Sequence, residues 1–182
     1  MGDWDAGLTM DQPHIAQWNF VVSLYAKPEI KDACFALQNI GGVDIPILLA
    51  AIHASAKRSM KLERQEIMEM DRLADPLRED FIRPLRALRT ALKNATPQVK
   101  DSAPQTLRAK ILEAELCAER EQLVVLAHYI ESQSQRAASP DINATVQLVC
   151  DFYFEKKQAC DEEIRKLRPS LRVFSQAVSS LI

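Results

Sequence analysis

The sequence predicts an all-α protein, a bundle of about six to seven helices with one long helix near residues 103–135. Three observations predict it. Leu, Ala, Glu, Arg, Gln and Met, good helix formers, are abundant. Glycine occurs only four times, too few for a sheet with many tight turns. Apolar residues recur three and four apart along most of the chain, the period of a helix face.

Taken in order, residues 1–12 read as a flexible lead-in. A first helix runs from His14 to about Ala26, with Trp18, Val21, Val22 and Tyr25 at helical spacing. Lys27-Pro28 interrupts it, because proline disfavours α geometry in the residue before it. Pro28 suits the first turn of a second helix, which reaches Ile40 and stops at Gly41-Gly42. Asp44 caps a third helix, apolar from Ile45 to Ile52 and therefore central. A fourth spans about Leu62 to Ala74, with Ile67, Met70 and Leu73 on one face. Asp75-Pro76 reads as the start of a fifth, which runs to about Asn94 with a kink at Pro84.

Residues 95–103 form a loop, and Ser102 with Gln105 makes a capping box for the sixth helix. There Leu112, Leu116, Glu119, Leu123, Leu126 and Ile130 alternate four and three apart, the seam of a heptad. Run to about Gln135, this helix is roughly 48 Å long at 1.5 Å per residue. Ser139 and Pro140 then open a seventh helix, carrying Ile142, Val146, Val149, Tyr153 and Ile164 to about Leu167. Pro169 closes it before a short helical tail. The whole of 1–182 reads as one helical domain, with 141–182 as a C-terminal extension.

Composition narrows the function classes. An apolar fraction of 47% is ample for a core, and a net charge of −2 provides no global field for nucleic acid or anionic lipid. Met1 to Met10 carries two aspartates and no apolar run, unlike a secretory signal, so a cytoplasmic protein is expected. The longest apolar stretch, Ile45–Ile52, is too short to span a bilayer. Cys34, Cys117, Cys150 and Cys160 lie in helical, apolar-flanked segments with no CxxC pair, and read as small buried hydrophobes.

Three stretches go beyond generic helix. They are Trp18-Asn19-Phe20 through Leu24-Tyr25-Ala26-Lys27-Pro28 into Ala33-Cys34-Phe35-Ala36-Leu37-Gln38, Arg83-Pro84-Leu85-Arg86-Ala87-Leu88-Arg89-Thr90-Ala91-Leu92-Lys93, and Glu113-Ala114-Glu115-Leu116-Cys117-Ala118-Glu119-Arg120-Glu121. In this order and spacing they resemble an uncharacterised proteobacterial conserved-hypothetical family, a domain of unknown function. The resemblance covers residues 14 to about 130. It implies a bacterial cytoplasmic setting and carries no established activity.

The last two stretches also have a physical reading. Arg83, Arg86, Arg89 and Lys93 share a broad helical face, while Glu119 interrupts an otherwise apolar seam. A carboxylate facing a core must be paired, since desolvating it alone costs several kcal/mol. The expectation is that helices five and six pack together, with Arg83, Arg86 or Arg89 bound to Glu119 or Glu115. The planar guanidinium makes arginine the suitable partner. The competing reading is a solvated basic face.

Recognised chemistries are poorly represented. None of His14, His53 or His128 follows a glutamate by three residues, as a di-iron bundle needs. Zinc spacing is absent, so neither metal nor cofactor is expected. Asp71 and Asp75, with Glu115 and Glu119 opposite, form a distant version of a prenyl-synthase acidic pair, but Asp75 reads better as a helix cap. No nucleophile elbow is present, and His53 reads as a hydrogen-bonded core histidine. Seven basic residues and one acidic residue lie between Arg83 and Lys110, yet no aromatic interleaves them to stack on bases. Nucleic acid is the third reading.

The leading expectation is a non-enzymatic interaction or regulatory module with a protein partner or a second copy of itself. Its motivation is the long helix, whose far end needs cover from helix seven or another chain. The alternative is a bundle enclosing a small apolar ligand, with Trp18, Phe20, Tyr25 and Phe35 as the candidate aromatic pocket.

Overall fold

A computed structural model describes residues 13–94, 103–133, 139 and 141–179. It is all-helical, with no β-strand among the described residues. Helix α1 (Pro13–Tyr25) is followed by α2 (Pro28–Gly41), α3 (Ile45–Arg58) and α4 (Arg64–Leu77). A π-helical turn (Arg78–Ile82) leads into α5 (Arg83–Asn94). Then come α6 (Ala103–Ser132), α7 (Ile142–Lys157) and α8 (Asp161–Ser179). Since α4, the π turn and α5 run on without a break, the described residues form seven rods. None is long and apolar enough to cross a membrane.

Local chemistry explains most boundaries. Gly42 adopts φ 69°, the left-handed cap that ends α2, and its N–H reaches back to the Gln38 and Leu37 carbonyls. Asp44 caps α3 by accepting from the Ile47 N–H at 3.2 Å. That helix is the centre of the bundle: Ile47, Leu48, Ala50, Ala51, Ile52 and Ala54 are fully buried. The core around it draws on α1, α2, α4, α6, α7 and α8, but takes nothing from α5. No side chain of residues 83–93 is fully buried, so α5 lies outside the core.

Several expected boundaries are corrected. Asp75 starts no helix, because α4 passes straight through Pro76. The disruption falls instead on the π turn, where the Arg83 N–H bonds the Arg78 carbonyl five residues back. Pro84 follows at once, and it lacks the N–H an α-helix would aim at Asp80. The described residues thus show a register shift where a simple kink was expected.

At the other end Asp141, not Ser139, caps α7, accepting from the Ala144 N–H at 2.8 Å. Gln158 ends that helix in a left-handed conformation, φ 59°, well before Leu167. Pro169 lies inside α8, where its exposed position lets water meet the carbonyl it leaves unpaired. The Ser102 cap and residues 1–12 fall outside the described residues.

The seam of α6 is also corrected. Leu112 and Leu116 are exposed, and the buried stripe runs through Ile111, Glu115, Gln122 and then Leu123, Leu126 and Ile130, the three that lie where the heptad put them. Cover comes from α5 over one half and from α1, α3 and α4 elsewhere, rather than from α7.

Candidate functional site

Helix α5 is tied to α6 by charge. Arg86 Nε donates to Glu115 Oε1 at 2.8 Å, and its Nη2 donates to Glu119 Oε1 at 2.6 Å. Arg89 grips Glu115 from a second side, through Nε at 2.6 Å and Nη2 at 3.2 Å. With the Gln38 amide oxygen turned toward it, Arg86 also donates to that residue from α2 at 2.8 Å. Arg83 takes no part. It points to Glu79 at 2.8 Å on the exposed side, one helical turn back.

Glu115 and Glu119 sit one turn apart but differ electrostatically. Burial pushes the Glu115 carboxyl up, yet bonds from Arg89 and Arg86 outweigh it and hold the group below its ordinary value. For Glu119, burial prevails, reinforced by Glu115 and Asp44, and the carboxyl is pushed up to about 6 despite its bond to Arg86. Its side chain is 23% exposed, against 4% for Glu115.

A second network, passed over in the sequence reading, lies beside the first. Arg78 in the π turn is 6% exposed and donates to Asp44 at 3.0 Å, Asp71 at 2.9 Å and Asp75 at 2.6 Å. Asp71 also accepts from the Tyr153 hydroxyl at 2.8 Å and from Lys156 at 2.6 Å. Gln122 completes the set by donating to Asp44 at 2.8 Å. Asp71, Asp75 and Arg78, spaced four and three, share one helix face. The signal was there, hidden by the assumption of a helix break between them. Asp71 and Asp75 therefore converge on a guanidinium.

Two cavities flank these networks. An apolar chamber of about 380 Å³ lies between α1, α2, α3 and α6, with Trp18, Val21, Tyr25, Cys34, Leu49 and Leu123 among its walls. Phe35, 71% exposed, stands at its rim with Leu116 and Val22. Phe20, expected in this pocket, is not there: it is buried with its ring 5.3 Å from His53. A polar cavity of about 300 Å³ lies on the other side, where Arg78, Arg83, Arg86, Lys156 and Lys157 face Asp44 and Glu119. Gln38, Ile45, Pro46 and Glu119 line both, so the two spaces adjoin at the Arg86–Glu119 pair. Glu119 is thus paired without being sealed in.

Other expected residues fall elsewhere. His53 is buried, but its Nδ1 finds no partner; burial, with Arg58 and Lys57 nearby, pushes the ring down to about 4. Cys34 and Cys150 are buried, whereas Cys117 and Cys160 are exposed, and Cys160 lies in the α7–α8 turn rather than in a helix. Burial pushes the Cys34 thiol up to about 12, so it acts as an inert wall of the chamber. No cluster of metal-ligating side chains occurs among the described residues. Of the basic stripe, Arg86 and Arg89 are held by glutamates, and Lys110 is paired with Glu113 at 2.8 Å.

Comparison with known proteins returns one family and no individual relative. No curated protein matches the chain, and no solved structure does. A family model described as a protein of unknown function, DUF2390, matches residues 16–126, from α1 through most of α6. Every wall residue of the apolar chamber lies inside that span, whereas Tyr153, Lys156 and Lys157 of the polar cavity lie beyond it. With well over half of its length matched, the chain belongs to the DUF2390 family of proteins of unknown function.

Proposed function

We propose that this protein is a non-enzymatic helical binding module that takes a small apolar ligand between α1, α2 and α6. The observation that carries this reading is the chamber itself. Its 380 Å³ falls within the range of small-molecule sites and has room for roughly a dozen groups the size of a water or methylene. Its walls are apolar and aromatic, with ionisable groups confined to Lys31, Cys34, Tyr25 and Glu119. The cytoplasmic, bacterial setting expected from the sequence belongs to the same proposal.

Titration calorimetry with decan-1-ol tests it. The alcohol is expected to bind one to one, and Phe35→Glu and Leu116→Glu, both at exposed rim positions, each weaken it about tenfold. Absence of decanol binding to the wild-type protein refutes the reading.

The second reading is self-association or a protein partner. Its support is Leu107, Leu112 and Leu116, all exposed on α6. Light scattering that finds a dimer broken by Leu112→Glu favours it; a monomer at all concentrations refutes self-association.

A further inference from the structure

The polar cavity and the apolar chamber adjoin, and their linings are chemically opposite. Five cations and two carboxylates face the polar space. The partners that neutralise those cations from outside, Asp71, Asp75, Glu79, Glu115 and Glu163, are not among its walls. Several cations also retain donors. Arg83 commits one guanidinium nitrogen to Glu79, leaving most of its five N–H groups, and Lys156 makes one contact with Asp71. Arg83, Lys156 and Lys157 are 62%, 48% and 38% exposed, so a solute reaches them without unfolding anything.

A molecule that fills the apolar chamber presents its end at Gln38, Pro46 and Glu119, the shared boundary. Beyond that boundary lie the cations. We infer that the ligand is a free single-chain amphiphile, its alkyl chain in the α1–α2–α6 chamber and an anionic carboxylate or phosphate head among Arg83, Lys156 and Lys157. This rests on the reading above that the chamber holds an apolar ligand, and it adds the ligand's class and its orientation.

Arrangement and the uncommitted donors both favour it. An uncharged apolar guest gains nothing from them, whereas an anionic head accepts charge-assisted bonds from the N–H groups that Arg83 and Lys156 do not spend on Glu79 and Asp71. A membrane surface is a poorer occupant, because the apolar chamber is a recess between helices rather than a projecting face.

The test is calorimetry with decan-1-ol below its solubility limit, and with decanoate and decyl phosphate below their micellar concentrations, on wild-type protein and on the Arg83→Met/Lys157→Met variant. Both substituted side chains are on the surface, so the fold is expected to persist, with circular dichroism as the check. Decanoate or decyl phosphate is expected to bind at least about tenfold tighter than decanol, and whichever is tighter names the head group. In the variant that preference disappears while decanol binding is unchanged. Equal or weaker binding of both anions relative to decanol overturns the inference but leaves the apolar site standing. Failure of decan-1-ol to bind the wild-type protein overturns both. A preference that survives in the variant overturns the placement of the head.

Discussion

Replacing Arg78 with methionine is the sharpest probe of the frame that holds the candidate site. Methionine keeps a long, flexible apolar side chain, so the main loss is charge and hydrogen bonding rather than volume. The guanidinium is 7% exposed, and its two most buried acidic partners, Asp44 and Asp71, are 5% and 12% exposed. Removing one member of a buried pair costs about 3–5 kcal/mol, because the remaining charge stays desolvated. Asp71 keeps Lys156 and Tyr153, and Asp44 keeps Gln122 and the Ile47 N–H, so the lower end, about 3 kcal/mol, is expected. Against a total stability of about 5–15 kcal/mol that is a large fraction. With a urea slope of about 2–3 kcal/mol/M, the midpoint falls by roughly 1–1.5 M. Asp44→Asn added to Arg78→Met removes the carboxylate left with no cation and is expected to restore about 1 kcal/mol. A loss under about 1 kcal/mol in the single variant, or strictly additive losses in the double, would falsify the desolvated-network argument.

Two further predictions concern His53 and Gly41. His53 sits at about 4 when folded against 6.5 unfolded, so its contribution is complete above pH 6.5 and is lost as pH falls toward 4, about 3 kcal/mol in all. Glu119 works in the opposite sense. Raised from 4.5 to about 6, it adds stability below 4.5 that is lost as pH rises through 6, roughly 2 kcal/mol. In the wild type the two oppose each other between pH 4.5 and 6, so His53→Leu is expected to make stability rise on acidification through that window. Identical pH slopes of the urea midpoint in both proteins would rule this out. At Gly41, an added Cβ meets Phe154 Cε1 at 2.5 Å and Leu167 Cδ1 at 3.0 Å. Gly41→Ala therefore costs about 2 kcal/mol, seen as a fall of roughly 4–8 °C in Tm that Phe154→Leu partly restores. An unchanged Tm for Gly41→Ala removes the steric argument.

The helix class and the central position of α3 were legible because each rests on local periodicity, as with the eight-residue apolar run Ile45–Ile52. What escaped was decided by tertiary partners. Asp75-Pro76 carries the local signature of a helix start, yet Arg78 needs Asp71 and Asp75 on its own face, which only an unbroken α4 supplies. A heptad template placed Leu112 and Leu116 in the core. Because α5 presents arginines rather than apolar side chains to α6, the buried position there goes to Glu115. Phe20 and Phe35 look alike in sequence, but one is buried and the other stands at a chamber rim, a difference set by the neighbouring rods. Cys160 was misplaced because Gln158, an ordinary helix former, adopts the left-handed cap.

The contrast between Glu115 and Glu119 separates the anchor of α5 from the wall between the two cavities. Both touch Arg86, so a pairwise view treats them as equivalent. Glu115 accepts three charge-assisted bonds from two guanidinia and is held ionised, which makes it the anchor of α5. Glu119 accepts one, is repelled by Glu115 and Asp44, and borders both cavities. With one charge-assisted bond against three, Glu119 holds the two helices together less than Glu115 does, and the same geometry leaves it facing open space on either side. The pairing anticipated from the sequence thus produces two different results: a structural joint at Glu115, and at Glu119 a poised polar group on the boundary where an apolar guest would end.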